Sequence, residues 1–486
     1  MFVTKQNTLK QAQDMTITYS SIQINPKLSL TKKAIKQTID QTFDKIKKIF
    51  CKTTIEELAW ETGFIKRSSS QIKGFDFLTS LLISSIDTSH ASLERISDIL
   101  AHVSRRTAVT SQAIMKRINS ENTVTFLKAV YSKIMKERLL MLDEIPSPLL
   151  RPFSKVFLQD SSIVTLHEKL QANFKGSGGR ASKASAKFDV IYDYKAKEYE
   201  EIKLTDQRDA DQKLGLRIEN VLTENSLVIR DLGYLRVDGL IQIIAKKAFF
   251  LSRLRSDILV YLNRDDENPV DLGAYLAKQC KHSMLDQEVF ITAEKLQVRL
   301  VAYKAPEEVV NKRRRDARAT AKKQGRILKE STLKFFAFTV FITNVPAEIW
   351  KVEVIGTIYR VRWQIELIFK CWKSRAQIHY LKGINPERIM CLIYVRLIYI
   401  LLVHQIYRLS EFVEFHSSGG MVSMPKVFEW MRDAGRLVMI IKGSMPVWEI
   451  DLFMKSISRN MCMNTRNRKT TFERLCELEF FGQKNN

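Results

Sequence analysis

The chain has 486 residues, of which 45% are hydrophobic, so it is long enough for two or three domains with their own cores. Its 78 Lys and Arg outnumber its 53 Asp and Glu, and the resulting net charge of +25 indicates a polyanionic partner, either nucleic acid or an acidic membrane surface. The six cysteines include no CxxC pair, which argues against a disulfide framework or a zinc site and suits a reducing compartment.

Neither the N-terminal residues nor the most apolar segment of the sequence predicts a membrane protein. The N-terminal residues MFVTKQNTLKQAQDMTITYSS lack the apolar stretch of a secretory signal. The most apolar run, Met390–Ile406, contains Arg396 and His404 and is short for a bilayer, so we interpret it as a buried helix. We therefore expect a cytoplasmic protein without a membrane partner.

Residues 1–148 are predicted to be a helical domain, because apolar residues recur at helical spacing and strand-like alternation is scarce. The predicted helices are Ile35–Ile49, Ile55–Trp60, Phe77–Ile86, Leu93–Leu100 and Val124–Met141. Two stretches resemble a helix-turn-helix: TIEELAWETGF, with Ala59 four residues before Gly63, and a helix capped by Ser92 that is followed by a second, basic helix. An ordinary helical bundle with a basic surface is the alternative. The candidate DNA contacts here are Arg105, Arg106, Lys116 and Arg117.

The segment Ile145–Pro152 contains three prolines and marks a change to strand-like sequence. In residues 149–254, strands are predicted at Val156–Leu166, Phe188–Tyr194 and Glu200–Thr205, with the spacing of an antiparallel meander. Helical and strand patterns then alternate: helices at Arg208–Asn220 and Leu235–Lys247, strands at Ser226–Gly233 and Ala248–Leu254. This order predicts an α/β domain with a mixed sheet and covering helices.

Residues 255–345 interrupt that alternation and are interpreted as a β-rich insertion. Strands are predicted at Ile258–Leu262, Val289–Tyr303 and Leu333–Thr343 around one basic helix, Val309–Lys329. That helix carries KRRRDARATAKKQGR, which is interpreted as a phosphate-contacting surface, although a solvated face is the common alternative. The candidate contacts are Lys312, Arg313, Arg314 and Arg315.

A polar stripe marks residues 346–380. Within Ile358–Ser374, predicted as one helix, Tyr359, Arg362, Glu366 and Lys373 fall within about a sixth of the helical circle. A solvated face with i,i+4 pairs is the alternative explanation. Residues 381–486 are predicted to be mostly helical.

Two aspartates end or interrupt apolar strands: Asp160 in VFLQD and Asp231 in LVIRD. A carboxylate at such a position is costly to desolvate unless it is paired or bound to a metal ion. With Glu366 as a third ligand, an oxygen-only site suits Mg²⁺ or Mn²⁺ and in-line phosphoryl transfer. Four other aspartates are rivals: Asp189 and Asp193, interpreted as solvent-facing strand residues, Asp238 in a helical pattern, and Asp206 after a strand.

These residues resemble the DDE transposases of bacterial insertion sequences, in particular the group whose signature is Y-x2-R-x3-E-x6-K. The signature matches at Tyr359, Arg362, Glu366 and Lys373, and Asp160 and Asp231 precede it in the expected order. The resemblance implies a ribonuclease-H-like catalytic core, interrupted by a β-rich insertion. It covers about residues 150–380 strongly, and the helical N-terminal region resembles an end-binding domain only in general character.

The resemblance also implies Mg²⁺-dependent cut-and-paste transposition. Asp160, Asp231 and Glu366 would bind two metal ions, Mg²⁺ or Mn²⁺, while Tyr359, Arg362 and Lys373 would hold DNA phosphates. The partner would be double-stranded DNA, both transposon ends and target, bound by a homodimer in a nucleoid-associated synaptic complex.

In relatives a tryptophan holds a flipped base. Trp350 and Trp363 are nearby, but neither is assigned that role, and Trp363 is expected to be a packing residue. Two alternatives to the transposase remain open at this point: a catalytically silent DNA-binding protein derived from one, and a structure-selective nuclease of the same fold.

Overall fold

The computed structural model describes residues 30–86, 92–105, 109–137, 148–178, 182–280, 283–463 and 473–475. The chain divides into two compact units. One comprises Met1–Asp143 and Cys371–Thr465, and the other comprises Glu144–Lys370 and Arg466–Asn486. This division does not test the domain limits predicted from the sequence, which stay a prediction.

The first part of the helical unit contains α1 (Lys32–Ile49), α2 (Lys52–Glu61), α3 (Gly74–Ile86), α4 (Leu93–Ser104), α5 (Ser111–Ile118) and α6 (Glu121–Lys136), which correspond to the predicted helices. Residues 138–141 of the predicted helix Val124–Met141 lie outside the described ranges. Thr31, Ser92 and Thr110 cap α1, α4 and α5 by accepting a hydrogen bond from a backbone N–H of the first turn. The N-cap predicted at Ser92 is confirmed.

The first helix-turn-helix prediction is wrong. Gly63 does adopt the left-handed conformation, with φ of 70°, but α3 begins only at Gly74. Twelve residues, 62–73, therefore separate α2 from α3, whereas a helix-turn-helix has a turn of about 3–4 residues. Phe64 and Ile65, both buried, occupy this connection and fill the core of the unit. In the second candidate, α4 ends at the left-handed Arg105 and α5 follows, while the residues between 105 and 109 lie outside the described ranges.

The other unit is built on one nine-stranded mixed sheet, which confirms the predicted α/β class with a mixed sheet and covering helices. Its strands are β1 (Val156–Leu166), β2 (Ala184–Asp193), β3 (Glu198–Asp206), β4 (Leu227–Arg230), β5 (Phe249–Arg253), β6 (Val260–Tyr261), β7 (Met284–Ile291), β8 (Leu296–Lys304) and β9 (Phe338–Thr343). Their order is β3-β2-β1-β4-β5-β9-β8-β7-β6. β1, β2 and β3 pair antiparallel, and β4 and β5 run parallel to β1.

Short helices connect these strands: α7 (Asp211–Leu214), α8 (Val237–Ala245), α9 (Leu272–Gln279), α10 (Glu307–Lys323) and α11 (Glu330–Phe335). One 3₁₀ turn, Gly215–Asn220, continues α7, and another, Leu232–Tyr234, follows β4. Phe157, Val228 and Phe250 from three neighbouring strands share one buried cluster with Leu240 and Ile243 of α8. This face of the sheet is therefore closed by apolar packing.

Two predicted strands of the insertion are wrong. The run Val289–Tyr303 is divided between β7 and β8, which form a hairpin whose turn residues Thr292 and Lys295 have φ of 57° and 51°. That turn contains no Gly, Pro or Asn, so its sequence carried no turn signal. In Leu333–Thr343 the chain first completes α11, and only the second half forms β9. Because β9 joins β5 to β8, the strands of residues 255–345 extend the same sheet.

After β9 the chain forms α12 (Val352–Tyr359), a 3₁₀ turn (Arg360–Arg362) and α13 (Trp363–Ser374). The division between the two units falls within α13, after Lys370. The helical unit then continues with α14 (Pro386–Ser418), α15 (Met424–Trp430), α16 (Ala434–Lys442) and α17 (Val447–Ser456). α14 is the one described helix long and apolar enough to cross a membrane, and 78% of its most apolar window is buried. Burial of this extent is typical of a core helix.

Asp193, which was predicted to face solvent, is instead buried at the end of β2 and accepts backbone hydrogen bonds from Lys195 (3.0 Å) and Ala196 (3.3 Å). Burial raises the pKa of Asp193 to about 6. The folded state therefore keeps this proton to a higher pH than the unfolded chain, and the stability it contributes is lost as pH rises through 6.

We expect Asp193→Asn to remove this dependence, since the amide oxygen still accepts the backbone bonds. The melting temperature of the variant, relative to that of the wild type, should rise between about pH 4 and pH 6 and then level off. Differential scanning fluorimetry at several pH values measures the difference. A difference that stays constant with pH would contradict the assignment.

Candidate active site

Asp160 and Asp231 meet at one place in the sheet because their strands are parallel neighbours. Gln159 of β1 pairs with Arg230 of β4, so the next residue of each strand is an aspartate. Asp160 lies within β1, which continues as a ladder with β2, and Asp231 begins the 3₁₀ turn that follows β4. Asp160 therefore lies beside the end of β4, where Asp231 follows.

Arg362 joins these aspartates to Glu366. Its Nη1 lies 3.5 Å from Oδ2 of Asp160, its Nε 3.9 Å from Oδ1 of Asp231, and its Nη2 donates to Oε1 of Glu366 at 2.6 Å. The phenol of Tyr359 donates to Oδ1 of Asp231 at 3.3 Å. The guanidinium thus lies among three carboxylates that come from two strands and one helix.

The single helix predicted over Ile358–Ser374 is interrupted, which corrects the predicted stripe. Residues 360–362 form a 3₁₀ turn between α12 and α13. A 3₁₀ turn advances about 120° per residue instead of about 100°, so the four side chains do not follow one α-helical face. Tyr359, Arg362 and Glu366 still converge on the aspartates. Lys373 lies in the part of α13 that belongs to the helical unit, and its place relative to the carboxylates stays a prediction.

The electrostatics of the site follow from burial and like charge. Burial raises the pKa of Asp160 to about 6, and the charges of Asp231 and Glu366 add to the increase. The backbone N–H of Ser161, which donates to Asp160 at 2.8 Å, and the charge of Arg362 oppose it. The pKa of Arg362 is raised: burial acts to lower it, but the surrounding tyrosine and carboxylates outweigh that effect.

The carboxylates of Asp160, Asp231 and Glu366 fit a divalent cation for two reasons: each supplies oxygen ligands, and the three surround one positive group. Mg²⁺ and Mn²⁺ prefer oxygen ligands, and all three side chains supply only carboxylate oxygen. A cation already lies among Asp160, Asp231 and Glu366 in the form of the Arg362 guanidinium. Across the described ranges, no three His, Cys, Asp or Glu side chains stand close enough together to hold a metal ion as they are. A metal ion would therefore have to displace the guanidinium.

The rival aspartates are engaged elsewhere. Asp189 was predicted to face solvent, but it is buried, pairs with Arg217 at 3.0 Å and accepts a hydrogen bond from Tyr234 at 2.9 Å. The prediction for Asp189 and Asp193 is wrong because β2 is covered on both faces along its whole length. Asp206 lies at the end of β3, two strands away from β1, and accepts a hydrogen bond from the backbone N–H of Lys175. Asp238 pairs with Arg236 at the start of α8.

The two tryptophans differ in exposure. Trp350 is fully buried against Phe153, and its indole N–H donates to the carbonyl of Leu149 at 2.9 Å, so it does not face a ligand. Trp363, which was expected to be a packing residue, is 56% exposed and directly follows Arg362. The packing expectation for Trp363 is therefore wrong.

The basic residues of α10 that were predicted to contact DNA fall into two groups. Some are tethers, which are hydrogen-bonded to neighbouring parts of the protein, and the others are exposed cations. Arg313 donates to the carbonyl of Phe338 at 2.9 Å and to Thr339 at 3.0 Å, and Arg314 donates to the carbonyl of Leu333 at 3.0 Å. These two arginines therefore hold α10 against β9 and α11. Lys312 and Arg315 lie on its exposed side.

The helical unit shows the same separation. Arg117 lies over the ring of Phe64 and donates to Ser70 at 3.2 Å, whereas Lys116 and Arg105 are exposed. Arg106 lies outside the described residues.

Arg253, at the end of β5, was missed by the sequence reasoning. Ser252 pairs with Arg230, so Arg253 lies one residue further along, beside Asp231. Burial raises the pKa of Tyr359 and lowers that of Arg313, and the charge of Arg253 opposes the first change and adds to the second, so Arg253 lies near both side chains. The signal was present in AFFLSRL, where a charge ends an apolar strand as Asp231 does in LVIRD.

Comparisons with known proteins show which family this chain resembles. A family model described as the transposase DDE domain matches residues 151–402, more than half of the chain. The chain is 29% identical over 361 residues to the transposase for insertion sequence element IS231B of Bacillus thuringiensis subsp. berliner, covering 71% of this chain and 75% of that protein. It is 26% identical over 487 residues to the transposase for insertion sequence element IS1151 of Clostridium perfringens, covering 94% and 98%.

Arg313 and Arg315 allow a matched test of tether and exposed cation on one helix. We expect Arg313→Ala to destabilise the protein by about 1–3 kcal/mol, because it removes hydrogen bonds to buried acceptors of β9. Arg315→Ala should change stability by no more than about 0.5 kcal/mol. Chemical denaturation measures both variants, and equal losses would contradict the tethering role.

Proposed function

The chain belongs to the DDE transposases of insertion sequences, and on this basis we propose that it binds the terminal inverted repeats of its own element, cleaves the DNA there and joins the freed 3′-hydroxyls to target DNA. The carboxylates of Asp160, Asp231 and Glu366 are the proposed catalytic residues. The single observation that carries the proposal is their convergence on Arg362 from two neighbouring strands and one helix.

The proposed core is ribonuclease-H-like. Its support is the order β3-β2-β1-β4-β5, in which the first three strands pair antiparallel and the last two run parallel to β1. This order brings Asp160 and Asp231 to neighbouring positions. Glu366 lies on α13, which follows the segment 255–345. That segment, which includes β9, corresponds to the insertion proposed for this core.

Asp160, Asp231 and Glu366 would hold two Mg²⁺ or Mn²⁺ ions. Ions bound there would activate water or a 3′-hydroxyl for in-line attack and would neutralise the leaving oxygen. The protein's own part is to gather oxygen ligands in a partly buried setting, where their affinity for a cation is high because their mutual repulsion is large. The raised pKa of Asp160 is a sign of that repulsion together with burial.

Arg362 would exchange its partners when DNA binds. Its fork of N–H donors suits a phosphate as well as a carboxylate. In the proposed active state the guanidinium leaves the three carboxylates and holds a phosphate of the transposon end. Tyr359, Lys373 and Arg253 would supply further donors or positive charge to the same DNA strand.

The remaining DNA surface is proposed to be electrostatic. Lys312 and Arg315 on the outer side of α10, and Arg105 and Lys116 in the helical unit, are exposed cations suited to phosphates. The net charge of +25 supports a DNA partner overall. A homodimer that pairs two transposon ends, in the cytoplasm, completes the proposal.

The catalytic assignment is tested with purified protein, divalent metal and DNA carrying the inverted-repeat ends of its own element. We expect Glu366→Gln to reduce end cleavage by about 100-fold or more, because loss of a metal ligand exceeds the effect of changing an outer-shell partner. End binding should persist. Glu353→Gln, at an exposed glutamate of α12, is the control and should cleave normally.

Full cleavage by Glu366→Gln would contradict the assignment. Absence of cleavage by the wild-type protein on its own ends would favour a catalytically silent DNA-binding protein instead. A gel that resolves hairpins, nicks and joined products distinguishes these results.

The phosphate role of α10 predicts a change in salt dependence. We expect Lys312→Gln with Arg315→Gln to lower the slope of log affinity against log salt by about 2, since each neutralised phosphate contributes about 0.9. Lys334→Gln is the control, because Lys334 is already paired with Glu330 at 3.0 Å. A slope unchanged by the double substitution would remove α10 from the DNA surface.

A further inference from the structure

A buried polar cluster lies on the opposite face of the sheet from the carboxylates of the active site. Gln159 and Arg230 directly precede Asp160 and Asp231 in the chain, and side chains alternate between faces along a strand. Both point to the face where Phe157 and Val228 belong to the apolar cluster, and both are buried. Polar groups at such positions are costly unless they are fully paired.

The cluster is held together by hydrogen bonds across three strands and the chain segment that covers them. Arg230 donates to the carbonyl of Gly215 at 2.8 Å and, at the longer distance of 3.5 Å, to Oε1 of Gln159. Gln159 donates to the carbonyl of Leu214 at 3.1 Å and to the carboxylate of Asp189 at 3.4 Å.

Asp189, on β2, is the shared acceptor. It also accepts from Tyr234 at 2.9 Å and pairs with Arg217 at 3.0 Å.

Each active-site aspartate is flanked on both sides by an anchored residue. Asp231 has Arg230 before it, and the 3₁₀ turn after it ends at Tyr234, which is tied to Asp189. Asp160 has Gln159 before it, and the hydroxyl of Ser161 after it donates to Asp211 at 3.1 Å. The backbone on either side of each aspartate is therefore attached to the same buried region.

Tight packing of the backbone at Gly215 supports this attachment. A Cβ added at Gly215 would come within 3.1 Å of Nη1 of Arg230 and 3.3 Å of the carbonyl of Tyr234. The covering segment therefore approaches Arg230 more closely than any other residue type would allow without displacement. Burial lowers the pKa of Arg230 to about 10, so it remains charged at neutral pH.

We propose that Gln159, Asp189, Arg230 and Tyr234 form a positioning cluster that sets the separation and orientation of Asp160 and Asp231 for metal binding. None of the four touches the active-site carboxylates; they act through the strand backbone. Stability alone does not require such a cluster, since a buried ionic network often stabilises a fold no more than apolar residues of similar volume. The inference rests on the proposed metal-binding role of the two aspartates.

The test compares two tyrosines that each donate one hydrogen bond of 2.9 Å inside the same unit. Tyr234→Phe removes the bond to Asp189, and Tyr275→Phe removes a bond to Gln287 in the insertion. Binding of Mn²⁺ to the complex of full-length protein with an end duplex is followed by electron paramagnetic resonance. Melting temperature, kcat and KM for the end are measured on the same samples.

We expect Tyr234→Phe to weaken Mn²⁺ binding about fivefold and to lower kcat without changing KM, as loss of one ordinary hydrogen bond allows. Tyr275→Phe, which loses a bond to a neutral amide, should lose less stability and keep Mn²⁺ affinity and kcat within about twofold of the wild type. Arg230→Met should weaken Mn²⁺ binding more than Tyr234→Phe, and Arg230→Lys should restore part of it.

Equal Mn²⁺ affinity in Tyr234→Phe and the wild type, with the protein folded, would overturn the positioning role. So would equal effects of the two tyrosine substitutions. Asp231→Asn separates this proposal from the proposed function: if it binds Mn²⁺ as the wild type does, the metal-binding role of Asp231 and the positioning cluster are both rejected. If Asp231→Asn loses Mn²⁺ while Tyr234→Phe keeps it, only the cluster is rejected.

Discussion

The arrangement of the active site depends on one positive group among three negative ones. Asp160, Asp231 and Glu366 come from separate parts of the chain, and without a cation between them their charges would repel in a partly buried place. Arg362 supplies that cation within 2.6–3.9 Å of an oxygen of each. One positive charge does not balance three negative ones, and the remaining negative charge is what would attract a divalent ion. The ion pairs of Arg362 therefore stabilise the three carboxylates as they are described, and a bound metal ion would have to replace them.

The sheet makes this convergence possible. β1 lies between β2 and the parallel strand β4, so successive residues of β1 and β4 alternate between an apolar face closed by α8 and a face that carries the aspartates. On the closed face the positions that precede the aspartates are polar: Gln159 donates to Asp189, and Arg230 donates to the carbonyl of Gly215 and to Gln159. Under the two proposals, one face of these strands would present metal ligands, and the other would fix the backbone that presents them.

Much of this could be predicted from the sequence where local pattern and tertiary environment agree. The bounds predicted for β1, Val156–Leu166, match the observed strand, and Asp160, Asp231, Tyr359, Arg362 and Glu366 are brought together. The errors arise where tertiary packing overrides local pattern. Asp189 and Asp193 alternate like solvent-facing residues, but both faces of β2 are covered. The 3₁₀ turn at 360–362 carries no Gly or Pro, so a continuous helix was the natural prediction.

Function at the level of single residues was harder to predict, because exposure decides it. Four consecutive basic residues of α10 have the same chemistry, yet Arg313 and Arg314 are hydrogen-bonded to neighbouring carbonyls while Lys312 and Arg315 are exposed. Periodicity alone cannot tell which side of such a helix meets the sheet when the apolar stripe is as short as Val310 and Ala321. Arg253 was overlooked for a related reason, since its importance comes from the neighbouring strand.

The central claim, that the three carboxylates are metal ligands in DNA cleavage, is tested most directly by changing the chemistry of one ligand. Asp231→Cys replaces a carboxylate oxygen with a thiolate, which binds Mg²⁺ poorly and softer ions such as Mn²⁺ better. We expect this variant to cleave transposon ends in Mn²⁺ but not in Mg²⁺, whereas the wild type cleaves in both. Normal cleavage in Mg²⁺, or equal loss of cleavage with both metals while folding and end binding are intact, would contradict it.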